Sequence, residues 1–334
     1  MKEDSRVFCR PLSQQNTMKA DPMARLIRIV TSSFATLENT SPPYNIRKPS
    51  CEENLELASL ILDAAAGYHP DIVLLPETFK TAGKSLETCQ TDAETIHGKT
   101  VEFLSQKAAE GNFNLVAGLL IKNDKFLSND ALVFNRMGKF AGKYSKNYPV
   151  ESEIDAGILP GNLLPVFDLD FGRIGIAICF DLNWRNIWQS FCDSEIDLGC
   201  WISAYEGGYP LINYAQTYGY PIVSSVYPYH ARVVDVTGEI MAASSRWSRL
   251  AFCELNLDRE IYHTDMQMDK IIKIQSEYGK DISVKTFTEE HLFMLTNHRS
   301  DCTIKDIESE FSLVSYRDYI HRCTKYRNQK ISSL

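Results

Sequence analysis

Four short apolar runs constrain this chain more than any other feature of its sequence. Asp71-Ile-Val-Leu-Leu75 and Leu115-Val-Ala-Gly-Leu-Leu-Ile121 are apolar without the alternation of a half-exposed strand. In Gly172-Arg-Ile-Gly-Ile-Ala-Ile178, three isoleucines alternate with small residues, and Asp197-Leu-Gly-Cys-Trp-Ile-Ser203 repeats the pattern of a buried run. Strands of this kind are covered on both faces. Helical stripes lie between them. Leu55, Ala58, Leu62 and Ala65 share one face over residues 51–66, which Gly67 ends, and further helices are expected at 100–110, 184–192 and 211–218. Strand–helix alternation, followed by hairpins around Arg136-Met-Gly138 and Thr237-Gly-Glu239, predicts a layered α/β domain.

Length and charge narrow the field. At 334 residues the chain can bury a full core. A net charge of −8 with no run of lysine and arginine speaks against nucleic acid. No window reaches the apolar length of a membrane span, and residues 1–23 lack the apolar core of a signal peptide. Nine scattered cysteines without a CxxC pair read as reduced thiols, so the expected setting is the cytoplasm. Residues 1–24 read as a flexible tail, with Met18 or Met23 as alternative starts, and 25–262 as the main domain. From 263 to 334 apolar runs shorten and charge rises. That stretch reads as an appended segment without its own core, with helices near 303–311 and 315–326. Its Ile304, Ile307, Phe311, Leu313 and Tyr319 are therefore expected to meet a second subunit, giving a homodimer or higher homo-oligomer.

Three candidate groups stand where predicted strands end. Glu77 follows the run to Leu75 directly, as either a turn cap or a reactive carboxylate. Lys146 follows the hairpin strand ending at Tyr144, where a solvated lysine is the ordinary reading. Cys179 ends the strand 172–178. A lone cysteine there is most often a buried structural thiol, yet a strand end also gives a nucleophile a rigid base near backbone N–H groups. The run His97-Gly-Lys-Thr100 mimics the tail of a phosphate loop, but Ala93 stands where its first glycine belongs and no strand leads straight into it.

Taken together, Leu75-Pro76-Glu77, Tyr144-Ser145-Lys146 and Ile178-Cys179-Phe180-Asp181 occur in the order and spacing of the nitrilase, or carbon–nitrogen hydrolase, superfamily. The resemblance runs from about Leu26 to Tyr262. Supporting pieces are Ile96-His-Gly98, Pro160-Gly161-Asn162, Phe171-Gly-Arg-Ile-Gly175 and Tyr205-Glu-Gly-Gly208. It implies a four-layer α-β-β-α sandwich of the nitrilase type. Carried over residue by residue, it implies Glu77 as general base and acid, Lys146 as the cation on the oxyanion, and Cys179 as nucleophile. A supporting acid is expected in the segment 151–155, with Glu153 first and Asp155 or Glu151 behind it. Phe180, Trp184 and Tyr205 are the candidate substrate contacts.

The implied chemistry is thiol-dependent hydrolysis of a small carboxamide, without metal or cofactor. No HExxH spacing occurs among the seven histidines. A nitrilase proper, an N-carbamoyl-amine hydrolase and a non-catalytic metabolite-binding member are the alternatives. A Cys–His hydrolase using His230 would leave Glu77 and Lys146 without a role. Two departures stand out. Arg185-Asn186 replaces the Pro-Glu common after the cysteine. Leu182-Asn183 stands where carbamoyl-amino-acid hydrolases carry an arginine, which leaves Arg185 as the substitute.

Overall fold

The doubly covered runs all become strands of two six-stranded sheets. The computed structural model describes residues 25–38, 41–43, 45–84, 91–123 and 126–333, so the predicted tail, 1–24, lies outside the described residues. In chain order come β1 (Leu26–Ser32), a ribbon of β2 (Thr36–Leu37) and β3 (Ile46–Arg47), α1 (Cys51–Ala66), β4 (Ile72–Leu74) and α2 (Lys99–Gly111). The meander β5 (Asn114–Lys122), β6 (Leu127–Phe134) and β7 (Phe140–Ser145) follows, then the short α3 (Glu151–Asp155), β8 (Val166–Leu169) and β9 (Gly172–Ile178). After α4 (Arg185–Asp193), β10 (Leu198–Ser203) and α5 (Tyr209–Tyr218) come β11 (Ile222–Val226), β12 (Arg232–Val234), β13 (Ile240–Ala243) and β14 (Leu250–Asn256).

One sheet has the order β14-β1-β4-β5-β6-β7 and the other β13-β12-β11-β10-β9-β8. The centre of each is parallel, β1 with β4 and β5, β9 with β10 and β11. α1 starts at a capping box, with Ser50 accepting the Glu53 N–H and the Glu53 carboxylate accepting the Ser50 N–H. Its Ala58, Ile61, Leu62 and Ala65, with Val101 and Leu104 of α2, pack on Val73, Leu115 and Ala117 of the first sheet. On the other side Ile187, Trp188 and Phe191 of α4 and Leu211 of α5 cover Ala177, Trp201 and Ile222. Each leucine, isoleucine, valine or phenylalanine among them contributes about 1.5–3 kcal/mol on burial. The two sheets meet through serines. Ser225 Oγ donates to the Ser32 carbonyl at 2.9 Å, Thr31 Oγ1 donates to the Ser224 carbonyl at 2.6 Å, and Ser33 bridges to Val226. Helix, sheet, sheet and helix are thus stacked in four layers, which is why the central strands needed two apolar faces.

This unit spans Ile27–Leu255. A second unit includes Asn256 onward, so the boundary falls earlier than the change of texture near His263. The reason is that β15 (Arg259–His263) pairs with a later strand. α6 (Met268–Tyr278), β16 (Ile282–Phe287), β17 (Leu292–Asn297), α7 (Ile304–Phe311) and α8 (Tyr316–Ser332) follow, and the sheet order is β15-β17-β16. Contrary to the sequence reading, this segment has its own core. Tyr262, Ile274, Ile282, Phe293, Leu295, Ile304, Ile307 and Leu313 form one buried cluster, with Phe311 packed against it. Those apolar residues do not themselves call for a second subunit. Among the described residues no helix is long and apolar enough to cross a membrane.

Candidate active site

The site residues sit on turns that leave both sheets at the same edge of the sandwich. Leu75 still pairs with β5, its N–H donating to the Val116 carbonyl at 2.9 Å, and the chain then turns at Pro76-Glu77. Thr78 takes up the bend with a positive φ of 42°. Gly118 of β5 lies under this turn. A Cβ there would stand 2.5 Å from the Glu77 Cα and 2.6 Å from the Pro76 carbonyl oxygen. Backbone on both sides cannot yield, so Gly118→Ala is expected to cost about 1–3 kcal/mol and to displace Glu77. Thermal unfolding and turnover measured together should both fall; a variant matching wild type in both would refute the packing argument.

Lys146 follows β7, its N–H held by the Asn129 carbonyl at 2.9 Å and its carbonyl accepting the Gly161 N–H at 2.8 Å. A Cβ on Gly161 would come within 2.3 Å of the Ser145 carbonyl, which accounts for the Pro160-Gly161 turn. The Lys146 ammonium is 2.9 Å from Glu77 Oε1 and 2.7 Å from Glu153 Oε2. Of the three acids in 151–155, Glu153 is the buried one that meets Lys146, and Glu151 and Asp155 are exposed. Glu77, Lys146 and Glu153 are 4%, 2% and 7% exposed, so this is a buried charge cluster that must be fully paired. Asn129 supplies part of the pairing: its Nδ2 donates to Glu77 Oε1 at 2.8 Å and to Glu153 Oε1 at 3.0 Å. The Val150 N–H, 2.8 Å from Glu153 Oε2, supplies more. From the second sheet the Ala204 N–H, just past β10, reaches Glu77 Oε2 at 2.9 Å. Burial works against the Lys146 charge, but Glu77, Cys179 and Glu153 outweigh it and hold the ammonium above the ordinary lysine range.

Cys179 follows β9 at a positive φ of 49°, a strained conformation for a non-glycine residue. Trp201 Nε1 donates to its carbonyl at 3.1 Å. The thiol is pushed up to about 12, first by burial and then by the Glu77 carboxylate, against the pull of Lys146 and of the Ala204 N–H. A thiol so placed rests protonated and needs a base as it reacts.

Asp181 ties the cysteine turn to the lysine loop. Its Oδ2 accepts from the Ile178 N–H at 2.9 Å and the Tyr144 hydroxyl at 2.7 Å, and its Oδ1 accepts from the Tyr148 N–H at 2.9 Å. Burial nonetheless pushes its carboxyl up to about 6. A carboxyl raised on folding contributes stability below its unfolded value near 4 and loses it as pH rises through about 6. Asn cannot titrate and offers one acceptor atom instead of two. Asp181→Asn should therefore unfold at lower temperature than wild type, with a wider gap at pH 4.5 than at pH 7.5. A gap of equal size at both values would contradict the buried-carboxyl account.

Phe180 directly follows Cys179, Tyr205 lies by its carbonyl, and Trp184 reaches this region through its contact with Phe180. Trp184 stacks on Tyr148 with ring centroids 3.9 Å apart, Phe180 meets Trp184 edge-on, and the Tyr205 hydroxyl is 3.5 Å from the Cys179 carbonyl. Arg185-Asn186 does not prevent a helix, since α4 starts there. Sequence reasoning missed Asn129, the Ala204 N–H and the bridging part of Asp181. The polar triplet Ser128-Asn-Asp130 heading an otherwise apolar strand was the available signal.

Comparison with known proteins agrees with this architecture. Residues 40–198 match the carbon–nitrogen hydrolase family. The chain is 34% identical over 135 residues to the nitrilase of Pyrococcus abyssi, covering 39% of this chain and 50% of that protein. It is 27% identical over 168 residues to the omega-amidase NIT2 of Homo sapiens, covering 48% and 59%. The matched segments thus span about half the length of these relatives. Among solved structures, Nit3 of Saccharomyces cerevisiae, a nitrilase-superfamily member, superposes with a TM-score of 0.60 at 18% identity over 78% of this chain and 97% of that one. A mutant of the Nesterenkonia sp. amidase in complex with butyramide gives 0.61 at 15% identity, over 76% and 97%. The four-layer sandwich is therefore the nitrilase fold. Over residues 40–198 the chain is similar to the carbon–nitrogen hydrolase family.

Proposed function

We propose that the unit Ile27–Leu255 hydrolyses the carbon–nitrogen bond of a small carboxamide through a thioester on Cys179, releasing a carboxylic acid and ammonia or an amine. The observation that carries this reading is the junction of Glu77 with both Lys146 and the Ala204 N–H beside a strained Cys179. As the Cys179 sulfur bonds to the amide carbon, its proton passes to Glu77 and the carbonyl electron pair moves onto oxygen. The Lys146 ammonium and the Phe180 N–H stabilise that oxyanion. When it collapses, the C–N bond breaks and the nitrogen leaves with the proton held by Glu77. Water then attacks the thioester carbon while Glu77 takes its proton, the C–S bond breaks as the acid departs, and Glu77 returns that proton to the Cys179 sulfur. Glu153 keeps Lys146 charged and in place throughout.

Ammonia release from a panel of amides, with mass spectrometry for an acyl adduct on Cys179, tests this proposal. No release and no adduct across the panel would leave the non-catalytic reading. Similarity to a protein named nitrilase makes nitrile hydrolysis the second reading. Phe180-Asp181 after the cysteine favours the amide. An amide builds a tetrahedral oxyanion whereas a nitrile builds charge on nitrogen, so donors fitted to one are misplaced for the other. A misplaced donor costs on the order of 3 kcal/mol, about a hundredfold in rate. On an amide and a nitrile sharing one acyl group, kcat/KM should favour the amide by about that factor; equal efficiencies would overturn the preference.

A further inference from the structure

We infer that Asn129 is a positioning residue for the proposed reaction. Its side-chain amide is an uncharged second bridge between Glu77 and Glu153, and by occupying Glu77 Oε1 it leaves Oε2 as the atom that takes the Cys179 proton. This inference rests on the hydrolase reading for the direction of that transfer, and goes beyond it in naming the atoms and the residue that assigns them. Asn129 belongs to β6, where it lies opposite Leu120 of β5, and it is 1% exposed. Its carbonyl accepts the Lys146 N–H at 2.9 Å, a backbone contact that no side-chain substitution removes.

Each proton in the cluster can be accounted for. The Lys146 ammonium gives one N–H to Glu77 Oε1 at 2.9 Å and one to Glu153 Oε2 at 2.7 Å, which leaves its third for a substrate oxygen. Both N–H bonds of the Asn129 amide go to the same two acids, at 2.8 Å to Glu77 Oε1 and 3.0 Å to Glu153 Oε1. Lysine and asparagine thus each join the two carboxylates, one with a charge and one without. Glu77 Oε1 is committed to both of them. Oε2 accepts the Ala204 N–H at 2.9 Å, and that N–H and Glu77 are also the hydrogen-bond partners of the Cys179 thiol. A donor shared by Oε2 and the sulfur puts Oε2 on the cysteine side, so Oε2 is the acceptor of the thiol proton.

That the second bridge is neutral matters for the chemistry. A cation in its place would hold the Glu77 anion too firmly to accept a proton from a thiol. An apolar residue would leave one ammonium to serve two buried carboxylates, and a buried anion short of hydrogen bonds is costly to form. An amide donates to both anions, yet gives up no ion pair when Glu77 becomes neutral during the reaction.

The experiment follows alkylation of Cys179 by iodoacetamide against pH, read by mass spectrometry on the Cys179 peptide, in wild type, Asn129→Leu and Asn129→Asp. Alkylation forms a C–S bond, expels iodide and passes the thiol proton to Glu77, so it reports the transfer without an amide substrate. Lys146, Glu153 and Cys179, the charged and titratable groups facing Glu77, are the same in all three proteins. Loss of the two amide donors should move the acidic limb of the profile up by about one pH unit, and the third carboxylate of Asn129→Asp should move it further. The variants should thus lag wild type by about tenfold near pH 6 and approach it near pH 8.5. A merely structural role would lower the rate by one factor at every pH; that result, or a profile matching wild type, overturns the inference. Should Asn129→Leu fail to fold, Asn129→Asp, which keeps the shape of asparagine, decides alone, and unfolding of both overturns the inference. Turnover of butyramide is measured beside alkylation. A displaced alkylation limb without wild-type turnover of any amide would support the role of Asn129 and defeat the hydrolase reading instead.

Discussion

Cys179→Ala is expected to lower ammonia release from an amide by several orders of magnitude, the scale seen when an enzyme loses its nucleophile. In the proposed reaction the thiol is the group that forms the acyl bond, and neither Glu77 nor Lys146 can substitute for it. Its fold should survive. The turn is held by the Asp181 hydrogen bonds and by Trp201 on the Cys179 carbonyl, and none of these uses the sulfur. Thermal unfolding should therefore stay within a few degrees of wild type. Measured side by side, a near-wild-type rate would sink the nucleophile assignment, and a collapsed fold would sink the account of the turn.

Lys146→Ala should do more damage, because two effects act together. The oxyanion loses its cation, so turnover falls by orders of magnitude. Glu77 and Glu153 are also left buried, sharing Asn129 and no positive charge. Removing one partner of a buried charge cluster costs about 3–5 kcal/mol. For a unit of this size that corresponds to a fall of roughly ten degrees in Tm, at about 2–4 °C per kcal/mol. From sequence alone this variant is expected to stay as stable as wild type, since a lysine at a loop start reads as solvated. Burial of the ammonium reverses that expectation. A Tm unchanged within two degrees would show that the cluster is not closed as described.

The contrast shows what could be read from the chain and what could not. Strand ends were legible because doubly buried strands leave an unmistakable apolar run, and Glu77 and Cys179 each follow one, while Lys146 follows an edge strand read from its hairpin. The distance between them was not legible, since it depends on how one sheet lies on the other, which the serines at Ser32, Ser33 and Ser225 settle. Asn129 was hidden for a similar reason. A strand residue is read as facing core or solvent, and this one faces two carboxylates. The C-terminal unit was misjudged because Lys280, Lys285 and the Glu289-Glu290 pair interrupt its apolar runs. Even so, Ile271, Ile274 and Tyr278 keep the spacing of one helical face.

One feature of the fold bears on synthesis of the protein. Strands that carry Glu77 and Lys146 belong to one sheet, those that carry Cys179 and Ala204 belong to the other, and β14, the last strand of this unit, pairs with β1, the first. A chain emerging from the ribosome can complete most of its first sheet, Glu77 and Lys146 included, before Cys179 has been made. When Cys179 emerges it has neither Glu77 nor Lys146 beside it until the second layer settles on the first. The cluster around Cys179 is thus assembled only late in production, and the strand that closes the first sheet is among the last pieces of the unit to arrive.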